Sequence, residues 1–429
     1  MAKEAVVMVG EHERDWRHIG AAIMFFAENR YTLAIGGFAK AIKNAFGLWK
    51  WARSVDETEK KRQPLLWLLE CTQMCTATDP RDRIYALLGL AKEMELMEPE
   101  DVDYKKEVVQ VYTEATRLIL RFSERGTEFS GLRILANVKH PKDEKDDGWP
   151  SWVQKWQDPD FDPLRKAKKE RNETLKNTWS TFTMSNLPSS AKFHAGGIKY
   201  LTPRDTRPYD PFSILVQGFI FDTIASNVHL MDPLPLSRAR LWDFVTDIRG
   251  VRKEWRDPYP TGEGINEVFA LTLTLAEALS YTAASDAETY HGIDFQHFSL
   301  AMFERTIKTM RDEGRNDECA ALETKFQADV DELKLAVAGH DKSKTFANSV
   351  QLTCLKNKLF SSKGGYLGVG DIKLENDDLV CVLFGAKMPF ILRPIGKRYR
   401  LVGECYFHGI MLGEALEEGR EKAQWFELR

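Results

Sequence analysis

The segment DDLVCVLFGAKMPFILRPIGKRYRLVGECYFHGIM, residues 377–411, decides the fold of the C-terminal part of the chain. Its residues 379–384 form a continuous apolar run that is rich in β-formers and too short for a typical helix. Pro389 can open a second strand, because the first residue of a strand need not donate to the ladder. Residues 399–408 form a third run, in which alternate side chains share a face. We predict three consecutive antiparallel strands, with residues 365–370 as a fourth that closes a small sheet or barrel.

This segment closely resembles the C-terminal end of fungal heterokaryon incompatibility (HET) proteins. The resemblance lies in the order V-C-V-L-F-G, P-F-I-L-R-P, Y-R-L-V-G-E-C-Y, H-G-I-M and G-E-A-L, which ends at residue 416. HET proteins take part in nonself recognition and programmed cell death after unlike hyphae fuse. The resemblance implies a lineage rather than a reaction, because no chemistry is visible in these residues alone.

Two earlier blocks carry the same resemblance. Residues 79–90, DPRDRIYALLGL, match the family pattern D-P-R-D-x-x-Y-A-L-L-G-L at every fixed letter. Residues 149–156, WPSWVQKW, resemble the family block L-P-S-W-V-P-D-W, with Trp149 in place of Leu and with Gln154 and Lys155 in place of Pro and Asp.

The N-terminal residues resemble the end of the family's N-terminal domain. Residues 5–9 predict a short strand, and a helix is predicted to begin at Asp15. In HET proteins the N-terminal α/β domain ends in a comparable strand, glycine, tryptophan and helix, but the earlier motifs of that domain are not found here. The resemblance therefore implies that residues 1–56 are the remnant of a HET-like domain that was lost or cut away, together with any effector chemistry that it carries.

The composition of the chain limits the classes of function that it can have. The 429 residues can hold two or three domains, and 43% hydrophobic and 29% charged residues are ordinary for a soluble globular protein. A net charge of -4 argues against nucleic acid as an obligatory partner, because polyanion binding normally needs a basic field. The sequence has no apolar run of about 18 residues and no basic-then-apolar leader, so we expect no membrane span and a cytoplasmic protein. Six dispersed cysteines indicate reduced, mostly buried thiols, with Cys71 and Cys75 on an apolar helix.

The predicted fold class is α+β. A mostly helical body with a few strands occupies residues 57–345, and a C-terminal antiparallel β-meander or small β-barrel occupies residues 346–429. Residues 265–282 are apolar nearly all round and are expected to form a central helix. Residues 311–318 form an acidic stretch between two predicted surface helices, and there we expect specificity towards partner proteins.

The block at residues 79–90 predicts a capped helix. Asp79 is a good N-cap, and Pro80 suits the first helical position. The charged residues that follow can be interpreted as a binding site or as an ion-pair cluster inside a structural helix, and we favour the second interpretation. The residues assigned to this structural motif are Asp79, Pro80, Arg81, Asp82, Tyr85 and Gly89.

Side chains suited to binding are concentrated in two places. Three tryptophans within residues 149–156 can stack a ligand, although such a cluster more often clamps a loop onto a core. In the terminal sheet, Glu404 and His408 share a strand face and can form an acid/base group with Glu414, but the same pattern arises on a face exposed to water. The candidate binding residues are Trp149, Trp152, Trp156, Tyr366, Arg393, Glu404 and His408.

No pattern in the sequence predicts a catalytic residue, a metal site or a cofactor. The glycines at residues 364–370 lack the Gly-Lys-Ser/Thr ending of a phosphate loop, and no Cys or His pair has zinc-type spacing. One hypothesis is a non-catalytic recognition part of a fungal cell-death protein, acting through contacts with other proteins. The alternative is a hydrolase or other small-molecule enzyme with a pocket between the helical body and the terminal sheet. That pocket would be lined by Trp152, Tyr366, Glu404 and His408.

Overall fold

The computed structural model of the chain divides into two compact units, Met1–Phe182 and Thr183–Arg429. The residues that it describes are 6–16, 18–22, 62–72, 75, 77–96, 102–122, 132–138, 148–156, 194–197, 203–205, 210–229, 256, 258–275, part of 304–327, and 357–429.

The first unit contains a β-hairpin and several short helices. Strands β1 (Val6–Val9) and β2 (His12–Asp15) pair antiparallel, and the sequence did not predict the second of them. The helices are α1 (Leu65–Cys71), α2 (Asp82–Leu88), α3 (Val108–Phe122) and α4 (Arg133–Ala136), with a 3-10 turn at Lys92–Leu96.

Helix α3 supplies the longest apolar face of the first unit. Val111, Ala115, Ile119 and Phe122 are buried and recur at the three- and four-residue spacing of one helical face. This face explains why α3 is stable as a helix, since α2, α4 and the 3-10 turn all contact it.

Charged side chains from elsewhere in the chain form hydrogen bonds with main-chain groups at both ends of α1. The Glu93 carboxylate accepts the Leu65 N–H at 2.8 Å, and Arg83 Nη1 donates to the Thr72 carbonyl at 2.8 Å. A carboxylate at the helix N-terminus and a guanidinium at the C-terminus both complement the helix dipole. Pro64 carries no capping side-chain bond, so Glu93 takes the place of a local N-cap.

The second unit is built on an eight-stranded mixed sheet. Its strands are β3 (Arg204–Asp205), β4 (Ile214–His229), β5 (Asn357–Ser362), β6 (Leu367–Asp371), β7 (Leu379–Leu383), β8 (Phe390–Ile395), β9 (Arg398–Phe407) and β10 (Gln424–Leu428). Helices α5 (Ile265–Thr274) and α6 (Leu416–Glu421) lie in the described part of the same unit.

The three strands predicted from the opening segment are present as β7, β8 and β9, and they pair antiparallel in chain order. The sheet runs in the order β10-β4-β5-β6-β9-β8-β7. Because β7 also pairs with β4, the path of hydrogen-bonded neighbours returns to β4. One parallel bridge joins β10 to the start of β9. The α+β class is therefore observed.

Strand β4 pairs with several other strands of the sheet. Residues 214–218 pair with β10, residues 218–223 with β7, and residues 224–229 with β5. Gly218 pairs with both β10 and β7, and a Cβ atom there would lie 2.2 Å from the Val382 carbonyl oxygen. The glycine within β4 is thus required by the close approach of β7.

The interior of the sheet is apolar. Phe219, Ile224, Phe360, Val380, Val382, Ile391, Val402, Cys405 and Phe407 form one buried cluster. Helix α5 ends at Thr274, where Leu275 takes a left-handed conformation with φ 54, so it is shorter than the predicted helix at 265–282. Neither α6 nor β10 was predicted from the sequence.

Candidate functional site

His408 lies at the centre of a partly buried polar cluster in the second unit. Its ring Nε2 lies 3.0 Å and 3.1 Å from the two carboxylate oxygens of Glu263, and Nδ1 lies 3.0 Å from the Tyr406 hydroxyl. A neutral imidazole has one donor nitrogen and one acceptor nitrogen. Because the carboxylate can only accept, Nε2–H donates to Glu263, and Nδ1 then accepts the Tyr406 O–H. Both nitrogens are therefore used within the protein.

Residues 258–264, called the strap below, contribute Glu263 to this cluster. The Tyr259 hydroxyl donates to the His408 carbonyl at 3.0 Å and accepts the Leu367 N–H at 2.9 Å. The Tyr259 and His408 rings meet edge to face with centroids 5.5 Å apart. Burial raises the pKa of both Tyr259 and Tyr406, so these hydroxyls remain protonated hydrogen-bond donors at neutral pH.

Opposing effects set the pKa of the Glu263 carboxyl. Burial alone would raise the pKa of its carboxyl, but hydrogen bonds from Thr261 and His408 outweigh burial and hold the pKa below its ordinary value. Gly409, next to His408, has φ +95, and a Cβ atom there would lie 2.8 Å from Thr261 Cγ2. The strap therefore packs directly on the turn that follows β9.

The acid/base group predicted at Glu404, His408 and Glu414 is not assembled in that form. Glu404 is 2% exposed and His408 is 9% exposed, so the interpretation of a face exposed to water is wrong. Strand β9 ends at Phe407, and His408 bonds to Glu263 across 145 residues of sequence. Glu414 is exposed and accepts the Leu412 N–H at 2.7 Å. Sequence reasoning missed Glu263 and Tyr259, since no local pattern connects the strap with β9.

Arg393, near the end of β8, is held in an ion-pair network. Its Nε and Nη2 donate to the two oxygens of Asp378 at 2.8 Å and 2.9 Å, and its Nη1 lies 2.9 Å from Glu375. Asp378 is 2% exposed, and its hydrogen bonds with Arg393, together with its charge, raise the pKa of Arg393. This two-point bond ties β8 to the turn before β7 and leaves Arg393 few donors for a ligand.

Tyr366 packs among aromatic rings. Its ring stacks on Phe407 at 5.6 Å and meets Phe221 and Tyr259 edge to face at 5.2 Å and 5.7 Å. Of the four residues of the predicted pocket, Trp152 lies in the first unit and is 0% exposed, while the other three lie in the second.

In the first unit, the Asp-Pro-Arg-Asp motif begins one turn before its helix. The Asp79 carboxylate accepts the Arg81 N–H at 2.9 Å, as an N-cap would, but α2 begins only at Asp82. The predicted start of the helix at Pro80 is therefore too early. Asp79 also pairs with the Arg81 guanidinium at 2.8 Å. The helix ends at Leu88, and Gly89 follows as its C-cap with φ -60 rather than in a left-handed conformation.

The charged and aromatic residues of this motif form hydrogen bonds with the segment that precedes α3. The Tyr104 hydroxyl donates to Asp82 at 2.5 Å, and the Tyr85 hydroxyl donates to the Asp103 carbonyl at 3.0 Å. Arg81 donates to the carbonyls of Tyr104 and Lys106, the latter at 3.1 Å. All these contacts are to residues of this unit, which supports the structural interpretation of the motif.

The three tryptophans lie in a turn that follows Gly148. The Trp149 indole N–H donates to the Val153 carbonyl at 3.0 Å, and its ring meets Tyr112 of α3 edge to face at 5.7 Å. Trp152 is 0% exposed with the Arg117 guanidinium 5.2 Å from its ring, and Trp156 is 6% exposed. These contacts favour the clamping interpretation over ligand stacking.

The residues that the structure describes contain no group of three or more His, Cys, Asp or Glu side chains that could hold a metal ion. Within those same residues, no helix has the length and apolar character needed to cross a bilayer.

The sheet and its turns define a known type of β domain. Residues 273–428 match the family model of the Het-6 beta-barrel domain, a range that includes β5 to β10 but not β4. The chain is also 26% identical over 371 residues to Heterokaryon incompatibility protein 6, OR allele, of Neurospora crassa. That alignment covers 79% of this chain and 49% of that protein, so the chain spans about half the length of the curated relative that it matches. The C-terminal region is therefore similar to the Het-6 beta-barrel domain, and the chain as a whole is similar to a fungal heterokaryon incompatibility protein. No solved structure matches it.

Proposed function

We propose that the chain acts in fungal heterokaryon incompatibility as a non-catalytic recognition module. In this proposal it works in the cytoplasm through contacts with other proteins, without membrane or nucleic acid. The similarity to the Neurospora crassa incompatibility protein supports the role. The observation that carries the non-catalytic mechanism is the His408 cluster, in which Glu263 and Tyr406 occupy both ring nitrogens. A general base needs a nitrogen within reach of a substrate proton, and neither is free for that task.

We also propose that β4 to β9 close into a barrel and that this barrel extends upstream of the matched region. The return of the strand pairing from β7 to β4 supports closure, because a closed sheet leaves no edge strand. The contacts of the strap with Leu367 and His408 support its inclusion in the same folding unit. In this view the barrel is a rigid scaffold, and recognition lies on surface segments attached to it.

The segment 311–318 is the surface that we propose for partner recognition. Arg315 pairs with Glu318 at 2.5 Å, and Arg311 pairs with Glu323 at 2.7 Å, with three of these four side chains more than 40% exposed. Exposed ion pairs contribute little to stability, so these charges can exchange partners at low cost. Charge complementarity between proteins mainly sets specificity and association rate, which is what nonself discrimination requires.

The test compares the chain with a charge-neutral variant, Asp312→Asn with Asp317→Asn. Each is expressed in a fungal strain, and the viability of fusion cells is scored against a panel of wild isolates. We expect the chain to change the outcome with at least one isolate, and the variant to lose that effect at an unchanged melting temperature. A matched control, Glu417→Gln with Glu418→Gln in α6, removes the same charge elsewhere and should keep the effect.

Two results would overturn this proposal separately. A charge-neutral variant that behaves like the chain would remove residues 311–318 as the recognition surface. A chain without effect on any isolate would remove the proposed role in incompatibility.

A further inference from the structure

The sheet presents a row of partly exposed side chains where β3, β4 and β10 lie side by side. Successive side chains of a strand point to opposite faces of a sheet. On one face, the side chains of β4 and β10 are buried: Ile214, Val216, Phe426 and Leu428. On the other face, the side chains are partly or fully exposed, and we call them the outer patch: Arg204, Leu215, Gln217, Trp425 and Glu427.

Cross-strand pairing places the side chains of the outer patch next to one another. Gln217 pairs with Trp425, while Leu215 pairs with Glu427 on one side of β4 and with Arg204 on the other. The Cβ atoms of directly opposite residues lie about 4.5–5.5 Å apart on the same face. The outer patch is therefore one contiguous surface across the three strands.

Arg204 is exposed and lies over an aromatic ring. Its guanidinium carbon is 4.1 Å from the centroid of the Trp425 ring. An arginine in contact with an aromatic face keeps its N–H donors available, because they lie in the plane of the guanidinium. Among the residues that the structure describes, no acceptor lies within hydrogen-bond distance of the Arg204 guanidinium or of the Trp425 indole N–H. The outer patch thus presents two adjacent donor groups.

The other charge of the outer patch is already paired. The Glu427 carboxylate accepts from Arg398 Nε at 2.8 Å and from the Ser213 hydroxyl at 3.0 Å. Arg398 also pairs with Asp210 at 2.9 Å. Because Glu427 is bound to Arg398, the positive charge of Arg204 is not balanced within the outer patch. The group that complements this charge is a carboxylate.

We propose that the outer patch is a docking surface for an acidic segment of a partner protein. In this arrangement an aspartate or glutamate of the partner binds Arg204, and an apolar side chain next to it packs on Trp425 and Leu215. Arginine can bind a carboxylate through two parallel N–H bonds, as Arg393 does with Asp378 in this chain. Tryptophan and arginine are also the residues that most often dominate the binding energy of protein interfaces.

The composition of the outer patch favours a protein over a polyanion. Nucleic acid and other polyanions need a field of many cations, whereas the outer patch combines a single unbalanced cation with apolar carbon. This inference rests on the proposed function, since it adds a second surface for contacts with other proteins.

The first experiment selects ligands from a random peptide library displayed on phage. The full chain is the target, and peptides that also bind the variant Arg204→Gln are removed. Because Arg204 is exposed, this variant should remain folded, which circular dichroism checks. We expect the remaining peptides to be enriched in Asp and Glu next to an apolar residue. Remaining peptides without acidic enrichment, or no peptide whose binding depends on Arg204, would overturn the proposal.

The second experiment measures the affinity of one selected peptide by fluorescence anisotropy. We expect Arg204→Gln to weaken binding about tenfold. Arg204→Lys should weaken it less, because lysine keeps the charge but loses the planar fork. Replacing the acidic residues of the peptide by their amides should weaken binding to the wild type and cause little further loss in Arg204→Gln.

The matched control is Arg14→Gln, which removes an exposed arginine from β2 in the first unit. This control should leave the affinity for the peptide unchanged. A loss in Arg14→Gln equal to that in Arg204→Gln would show a general attraction of charge and would exclude docking at the outer patch.

Inorganic polyphosphate is the competing probe. Binding of polyphosphate that depends on Arg204, with no acidic peptide selected, would show a phosphate-binding surface and overturn the proposal. All these measurements use the purified chain, whereas the role in incompatibility is scored in fusion cells. A failure of either one therefore leaves the result of the other unchanged.

Discussion

The Tyr259 hydroxyl donates to the main-chain carbonyl of His408 at 3.0 Å, across 149 residues of sequence. The same oxygen accepts the Leu367 N–H at 2.9 Å, so one atom joins the strap to β6 and to the end of β9. Tyr259 is 1% exposed, and water is therefore a poor substitute for either bond. The attachment of the strap to the sheet depends on this hydroxyl.

Tyr259→Phe should destabilise the second unit. The substitution keeps the ring and its packing but leaves a buried N–H and a buried carbonyl without their partner. We expect a loss of about 1–3 kcal/mol in the free energy of unfolding, measured by urea denaturation. Tyr366→Phe is the matched control, since it removes the same atom from a partly exposed ring in contact with Tyr259. A control variant as unstable as Tyr259→Phe would contradict the special role of the Tyr259 hydroxyl.

Glu263→Gln should weaken the protein in a pH-dependent way. The pKa of Glu263 is lowered in the folded state, so its contribution to stability is present above the ordinary value of 4.5 and is lost as the pH falls through the folded value. The side chain is 39% exposed, and after allowing for solvent screening we expect about 0.5–1 kcal/mol at neutral pH. Urea denaturation of the wild type and the variant at about pH 7 and about pH 3 measures the difference.

The pH dependence separates an ionic contribution from simple loss of packing. The difference between wild type and Glu263→Gln should shrink as the pH falls through the folded pKa of Glu263, because the wild-type carboxylate then takes up a proton. A difference that stays constant between the two conditions would show that the carboxylate charge does not stabilise the cluster. Glu417→Gln in α6, which also removes an exposed carboxylate, controls for the change in net charge.

The features that could be predicted from the sequence are those that depend on residues close together in the chain. The apolar run at 379–384 and the alternation at 399–408 are local patterns, and both are strands. The Asp79 carboxylate caps the backbone two residues ahead, again a local event. The His408 cluster was missed because its members come from two segments 145 residues apart, and no periodicity reports such a contact.

The sequence also did not predict that a charged side chain is buried in the first unit. Arg83 is an arginine in a charged motif, a pattern that usually indicates a solvated face, and yet it is 5% exposed. Its burial follows from the position of α2 against the end of α1, where two main-chain carbonyls accept from its guanidinium. Only the tertiary arrangement supplies those acceptors, so the side chain of Arg83 cannot be placed from the motif alone.

Asp82→Ala should lower the melting temperature of the first unit. The substitution removes the acceptor of the Tyr104 hydroxyl and the acidic residue in the first turn of α2. We expect a decrease of a few degrees in differential scanning calorimetry, with any binding activity of the chain altered less than its stability. Tyr104→Phe removes the other partner of the same bond, so the double variant should be no less stable than Asp82→Ala alone. An unchanged melting temperature in Asp82→Ala would count against a structural role for the motif.

The fragment 273–428, which is the whole of the region matched to the Het-6 beta-barrel domain, should not fold by itself. It lacks β4, whose removal leaves β5, β7 and β10 without a paired neighbour on one side and takes Phe219 and Ile224 out of the buried cluster. It also lacks the strap and therefore the bonds of Tyr259 and Glu263 to β6 and His408. A fragment of residues 210–429 restores all of these and should show a single cooperative urea transition by circular dichroism, which the shorter fragment should lack. If residues 273–428 unfold cooperatively at the same urea midpoint as residues 210–429, then β4 is an accessory strand and the barrel is complete without it.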